Sequence, residues 1–166
     1  MPLVKTQAEG INLADTFAFS GTVSGVGKVL QVKQGSLTSE YSTASSSFQD
    51  TGLSVDITPS SSSNHVLVLV SLGSAFVGDS SGYDGQGFFQ IVRGSSSIYV
   101  TKYRSYDYGG TGTFLIAPLF MSYRDSPSST SALTYKIQTR LIAGDTIRLA
   151  ESDFPAYIQC MEISPW

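Results

Sequence analysis

The 166-residue chain holds one histidine, His65, and one cysteine, Cys160, which narrows at once what chemistry its side chains could do. Nucleophilic hydrolysis requires a Ser or Cys beside a general base, with an acid to orient that base. His65 opens the apolar run HVLVLV straight after a serine loop, so it reads as a strand-edge residue that caps local backbone groups. No GxSxG elbow accompanies it. Cys160, within YIQCMEIS, reads as a small apolar side chain on a strand, and a lone cysteine has no internal disulfide partner. No pair of Cys or His residues has zinc-ligand spacing. Asp79 and Asp84 in GDSSGYDGQG could offer oxygens to a calcium ion, but a calcium loop carries more acids at tighter spacing, and the expectation is a solvated loop. Glu151 and Asp153 lie close together beside Phe154, yet nothing in the sequence marks a buried acid of the kind glycoside cleavage needs. The glycines at 21, 25 and 27 lack the Lys-Ser/Thr ending of a phosphate-binding loop. The expectation is therefore no catalytic residue, no metal and no cofactor.

The stretch MSYRDSPSSTSALTYKIQTR, residues 121–140, concentrates Arg124, Asp125, Lys136, Arg140 and many hydroxyls. Asp125-Ser126-Pro127 fits a turn in which Asp or Ser bonds backbone ahead of the fixed proline φ. In LTYKIQTRL, Tyr135, Ile137, Thr139 and Leu141 alternate strictly with Thr134, Lys136, Gln138 and Arg140, the period of a strand. Lys136 and Arg140 are then its outward members and do not converge on Asp125. A more suggestive stretch is SIYVTKYRSYDYGGTGTF, where Tyr99, Tyr103, Tyr106 and Tyr108 surround Arg104 and end in a glycine-rich tip. Tyrosine offers large contact area at small entropic cost, so these residues are candidates for recognition or for filling a subunit interface.

The elements that must position these groups are strands. Only 14% of the residues are charged, and Ser, Thr and Gly fill the polar positions, whereas a soluble helix needs strongly helix-forming polar residues outside. Short strand-like runs recur from Lys28 onward, separated by turn residues. KVLQVKQ alternates with Leu30 and Val32 on one face; SFQDTGLSVDITP alternates through Leu53, Val55 and Ile57. HVLVLVSL is a continuous apolar run, the pattern of a strand covered on both faces. Pro118 within FLIAPLFMSY requires an edge, a bulge or a break, since proline cannot donate to a ladder. The count is eight or nine strands and no convincing helix, which means a sandwich, barrel or jelly roll. Residues 1–27 differ: Ile11, Leu13, Phe17 and Phe19 cannot bury themselves, and they read as an extended arm that docks on a partner, ahead of a head domain over 28–166.

A net charge of −3 leaves no basic footprint for nucleic acid, and no apolar run approaches the ~20 residues that cross a bilayer. No secretion signal is visible at the start, so synthesis in a cytoplasm is expected.

The order RGSSSIYV, then YRDSPSSTSALTYKIQTR, then a C-terminal strand resembles small virion proteins of tailed bacteriophages, and INLADTFAFSGTVSG with KVLQV resembles segments of fibre proteins from phages of aquatic bacteria. Arg124 stands where that pattern has an apolar residue. The resemblance implies an all-β, antiparallel jelly-roll sandwich of about eight strands, related in shape to tumour necrosis factor and C1q heads and carried as a homotrimer on a virion. Its implied role is a capsid decoration or short head fibre bound to other virion proteins. The alternative is the receptor-binding tip of a tail fibre, meeting a host surface glycan or protein. A carbohydrate-cleaving enzyme is the third reading.

Overall fold

A computed structural model describes residues 28–78, 85–105, 117–151 and 153–165; the arm residues Ile11, Leu13, Phe17 and Phe19 lie outside them, as do Asp79, Asp84, Tyr106 and Tyr108. Among the described residues there is no helix, and ten strands follow one another: β1 (Val29–Leu37), β2 (Tyr41–Thr43), β3 (Gln49–Ile57), β4 (His65–Gly78), β5 (Gln86–Arg93), β6 (Ser96–Arg104), β7 (Ala117–Asp125), β8 (Leu133–Ala143), β9 (Thr146–Leu149) and β10 (Ala156–Ile163).

One sheet runs β1-β10-β4-β9-β2, with β7 on the free side of β4; the other runs β3-β8-β5-β6. All pairings are antiparallel. The longest strand, β4, explains the count of ten. Its first half pairs with β10 from His65 to Leu72, and its second half pairs with β9 from Ala75 to Gly78, so β9 and β10 lie end to end along one side of it. β1 and β2 lie end to end in the same way along β10 and β9. Merging each broken pair turns the six-stranded sheet into four and gives two sheets of four. Numbering these merged strands along the chain, the orders are 1-8-3-6 and 2-7-4-5, the interleaved Greek keys of a jelly roll.

The break between β9 and β10 has a local cause. Ala150 takes a positive φ of 54°, the Glu151 amide donates to Ser74 Oγ at 3.1 Å, and the chain at Phe154 and Pro155 passes directly over Gly73. A Cβ on Gly73 would come within 2.9 Å of the Pro155 carbonyl oxygen, so the excursion needs glycine beneath it.

The core lies between the sheets. Leu53, Val55 and Ile57 of β3, Val66, Val68, Val70 and Leu72 of β4, Phe89 and Ile91 of β5, Tyr135 and Ile137 of β8, and Ile158 and Cys160 of β10 form one buried cluster. The strict alternation in β8 is realised, with Tyr135, Ile137, Thr139 and Leu141 inward and buried. Pro118 sits on an edge strand and beside an irregularity in register, between Leu72↔Leu119 and Ala75↔Ala117, which satisfies two of its expected accommodations together.

Two expectations need correction. In β1 the pattern of Leu30 and Val32 does not mark the core face: a register shift falls at Leu30, both side chains are exposed, and the positions opposite buried β10 residues are Gln31, Lys33, Gly35 and Leu37. Over the apolar run His65–Leu72, β4 is not covered on both faces within the chain: Val66, Val68 and Val70 are buried and Leu67 and Leu69 only half-buried on the outer side, whereas Ser74 to Gly78 is buried throughout.

Candidate functional site

The residues singled out by chemical type separate in space. His65 Nδ1 lies 2.9 Å from Ser126 Oγ, so the histidine holds the chain just after β7 and caps a side-chain hydroxyl where backbone groups were expected. Glu151 pairs with Arg148, whose guanidinium stacks 4.3 Å from the Phe76 ring, and it forms no pair with Asp153. Cys160 is fully buried, and burial followed by the nearby Asp125 charge pushes its thiol up to about 12. Among the described residues no group of three His, Cys, Asp or Glu side chains is placed to hold a metal ion.

Asp125 is not the turn residue its sequence neighbours predict. It ends β7 facing inward, where Tyr135 Oη donates to its Oδ2 at 2.6 Å and Arg93 Nη1 donates to the same oxygen at 2.7 Å. Burial first, then the bond to Asp125, raises the Tyr135 pKa far above that of an ordinary phenol. A second acid escaped the sequence reading altogether. Glu162 on β10 faces the core with no exposed surface, and its carboxylate accepts from Gln31 Nε2 at 2.6 Å, from the Ser60 amide and hydroxyl at 2.7 Å each, and from Asn64 Nδ2 at 2.5 Å. Burial disfavours the charge, but the bonds from Gln31, Asn64 and Ser60 outweigh it and hold the pKa at about 2. Asp125 and Glu162 flank Val66 in register, two strands apart, so their Cα atoms are roughly 10 Å from each other. Each is committed to donors of the fold, and the Glu162 carboxyl is held below the ordinary carboxylate range, the opposite of what a general acid needs. The pair braces one end of the sandwich.

The tyrosine-rich stretch divides. Tyr99 packs on Tyr123 with centroids 5.9 Å apart; Tyr103 meets Phe89 edge-on at 6.1 Å and its hydroxyl donates to the Ala117 carbonyl at 3.2 Å. Both thus serve packing at the β6 edge, while Arg104 is exposed at the end of that strand.

What the fold does present is two unlike outer faces. On the β3-β8-β5-β6 sheet, Gln138 Nε2 donates to Asp50 at 2.6 Å, Gln90 Nε2 donates to Gln138 at 2.6 Å, and Ser97 Oγ donates to Gln90 at 2.8 Å, a chain of bonds across all four strands. Lys136 joins Asp50 at 2.8 Å, and Arg140 stacks between Phe48 and Phe88. Much of the polar surface of this face is paired within the face, although Arg140 Nε has no hydrogen-bond partner among the described residues and Val100 and Ile142 are exposed on it. The outer face of the other sheet is laid out in rows by register: Ser36, Tyr157, Ser71 and Phe120; then Gln34, Gln159, Leu69 and Ser122; then Val32, Met161, Leu67 and Arg124; and last Val29, Ile163 and His65. Val29, Val32 and Phe120 are exposed at 57%, 51% and 68%. Arg124 stands exposed at the rim of this face on an edge strand, which is why a charge is tolerated at a position where an apolar residue was expected. The cluster of Val29, Val32, Leu67, Met161 and Ile163 at one end of this face is the mark of an interaction surface. No family model matches the chain, and no curated protein matches it either.

Proposed function

We propose that the chain is a non-enzymatic structural protein that works as an assembly of its own copies, a homotrimer on the surface of a tailed-phage virion, serving as a capsid decoration or short head fibre. The observation that carries the assembly is the outer side of the first half of β4: its sequence has the continuous apolar run of a strand buried on both faces, and over His65–Leu72 only the inner face is fully buried within the chain. Val29, Val32, Leu67, Met161 and Ile163 form the contact, a patch whose burial removes apolar area from water while Arg124, beside Leu67 on the edge strand, lies at its rim. The motif order around Arg93, Asp125 and Tyr135 supports the virion setting and the threefold state through its resemblance to phage proteins. The arm over 1–27, through Phe17 and Phe19, anchors the assembly to other virion proteins.

Light scattering at micromolar concentration tests the contact. The chain is expected as a trimer, and Leu67→Asp with Met161→Asp, both on the outer side, are expected to give folded monomers; a wild-type monomer overturns the reading. Imaging of particles then separates copies spread over a capsid from a few at a tail. A receptor-binding fibre tip is the second reading, and one observation favours it, an open groove at the other end of the same face lined by Phe120, Tyr157, Ser71, Gln34 and Gln159.

A further inference from the structure

The first two rows of the outer face differ in chemistry from the last two. Tyr157 and Phe120 stand on either side of Ser71, two strands apart and so roughly 10 Å between Cα atoms, as aromatic walls over a small floor residue. Between and beside them lie Leu69, Ser122 and the Gln34–Gln159 amide pair, in which Gln159 Nε2 donates to Gln34 Oε1 at 2.7 Å. Together they bound an open groove of about 550 Å³, within the range of roughly 300–1,000 Å³ common for ligand sites. None of its lining side chains is charged.

We infer that this groove binds a neutral pyranose ring of a glycan. A sugar ring has C–H faces that pack on aromatic walls and an equatorial rim of hydroxyls that both donate and accept. The Gln pair leaves Gln34 Nε2 as a donor and Gln159 Oε1 as an acceptor, and Ser71 and Ser122 can do either. A dry subunit contact over these rows would bury amides and hydroxyls without partners, at about 1–3 kcal/mol for each left unmade. The rows at Val32 and Val29 are apolar except for Arg124 and His65 at their β7 and β4 ends, and bury fewer such groups. An acidic sugar or a phosphate finds no cation among the lining residues. Tyr99, Tyr103 and Arg104 do not line the site, and the inference goes beyond the structural role without depending on it. If copies do assemble, several grooves act together, and millimolar single-site binding becomes useful avidity.

The test titrates the full chain, followed by NMR, with the methyl glycosides of glucose, galactose, mannose and N-acetylglucosamine, and with methyl glucuronide as the charged control. At least one neutral glycoside is expected to shift resonances of Tyr157, Gln159 and Ser71, with binding weakened about tenfold or more in Phe120→Ala and in Tyr157→Ala, both surface changes that leave the core alone. No response to any neutral glycoside, preference for the glucuronide, or binding that survives both substitutions overturns the inference. Repeating the titration on Leu67→Asp keeps it distinct from assembly: loss of the trimer with sugar binding retained supports the groove, and absence of binding in both proteins rejects the groove alone.

Discussion

The Tyr135 hydroxyl and the Arg93 guanidinium converge on one oxygen of Asp125, at 2.6 and 2.7 Å, and so tie β8 and β5 of one sheet to β7 of the other. Arg93 and Tyr135 are register partners, which puts both donors side by side opposite the acid. The three segments whose order carries the phage resemblance, Arg-Gly-Ser, Asp-Ser-Pro and Thr-Tyr-Lys, each contribute one member. These segments, separated in sequence, meet in this cluster, which closes one end of the sandwich.

Removing the Tyr135 hydroxyl by Tyr135→Phe leaves Asp125 with Arg93 and is expected to cost about 1–2 kcal/mol in urea unfolding. Asp125→Ala strands a buried hydroxyl and a partly buried guanidinium together, and about 3 kcal/mol is expected. The double variant should cost less than the sum of the two, because both changes break the same bond; strict additivity would dissolve the cluster as a unit.

Much of the fold was legible because period-two patterning reports burial directly. β8 and the end of β3 were readable residue by residue, and Pro118 announced an edge with an irregular register. Strand breaks were less legible: nothing in the sequence separates β9 from β10 except the SDFP turn, and nothing tells that the two halves share one line along β4. The acids failed for a definite reason. Asp125 and Glu162 occupy core-facing positions at strand ends, where local patterning reads a polar residue as a turn or an outward position, and their donors come from residues up to 131 positions away. The outer groove was invisible because its walls, Phe120 and Tyr157, belong to strands that the topology alone brings to either side of Ser71.

Gly35 marks the close approach of β1 to β3. A Cβ there would lie 1.9 Å from the Ser54 carbonyl oxygen, a backbone atom that cannot swing aside. Gly35→Ala should therefore destabilise by about 3 kcal/mol or more. Gly94, at a φ of +59° with open space around it, is the control: Gly94→Ala carries only left-handed strain, about 1 kcal/mol. Equal losses in thermal melts would remove the packing argument at Gly35.

Cys160 should be inert in the folded protein. With no exposed surface and a thiol pushed up to about 12, almost no thiolate exists at pH 8, and reagent access is closed as well. Labelling by an aromatic disulfide is expected only at the rate of unfolding, rising to completion in denaturant. Rapid labelling of native protein would show that β10 opens locally.

Glu162 gives the fold an acid limit. Its pKa of about 2 in the folded protein lies below the ordinary 4.5, so the unfolded chain takes up the proton first. The stability contributed by its charge is present above about pH 4.5 and is lost as pH falls towards 2. Glu162→Gln should cost about 2 kcal/mol at neutral pH, since the new amide meets donors from Asn64, Ser60 and Gln31 with a donor of its own. It should also flatten part of the acid slope, so that urea midpoints of the variant and the parent approach each other below pH 3. A constant gap between the two from pH 7 to pH 2.5 would mean that the carboxylate is not what holds the 58–64 loop to β10.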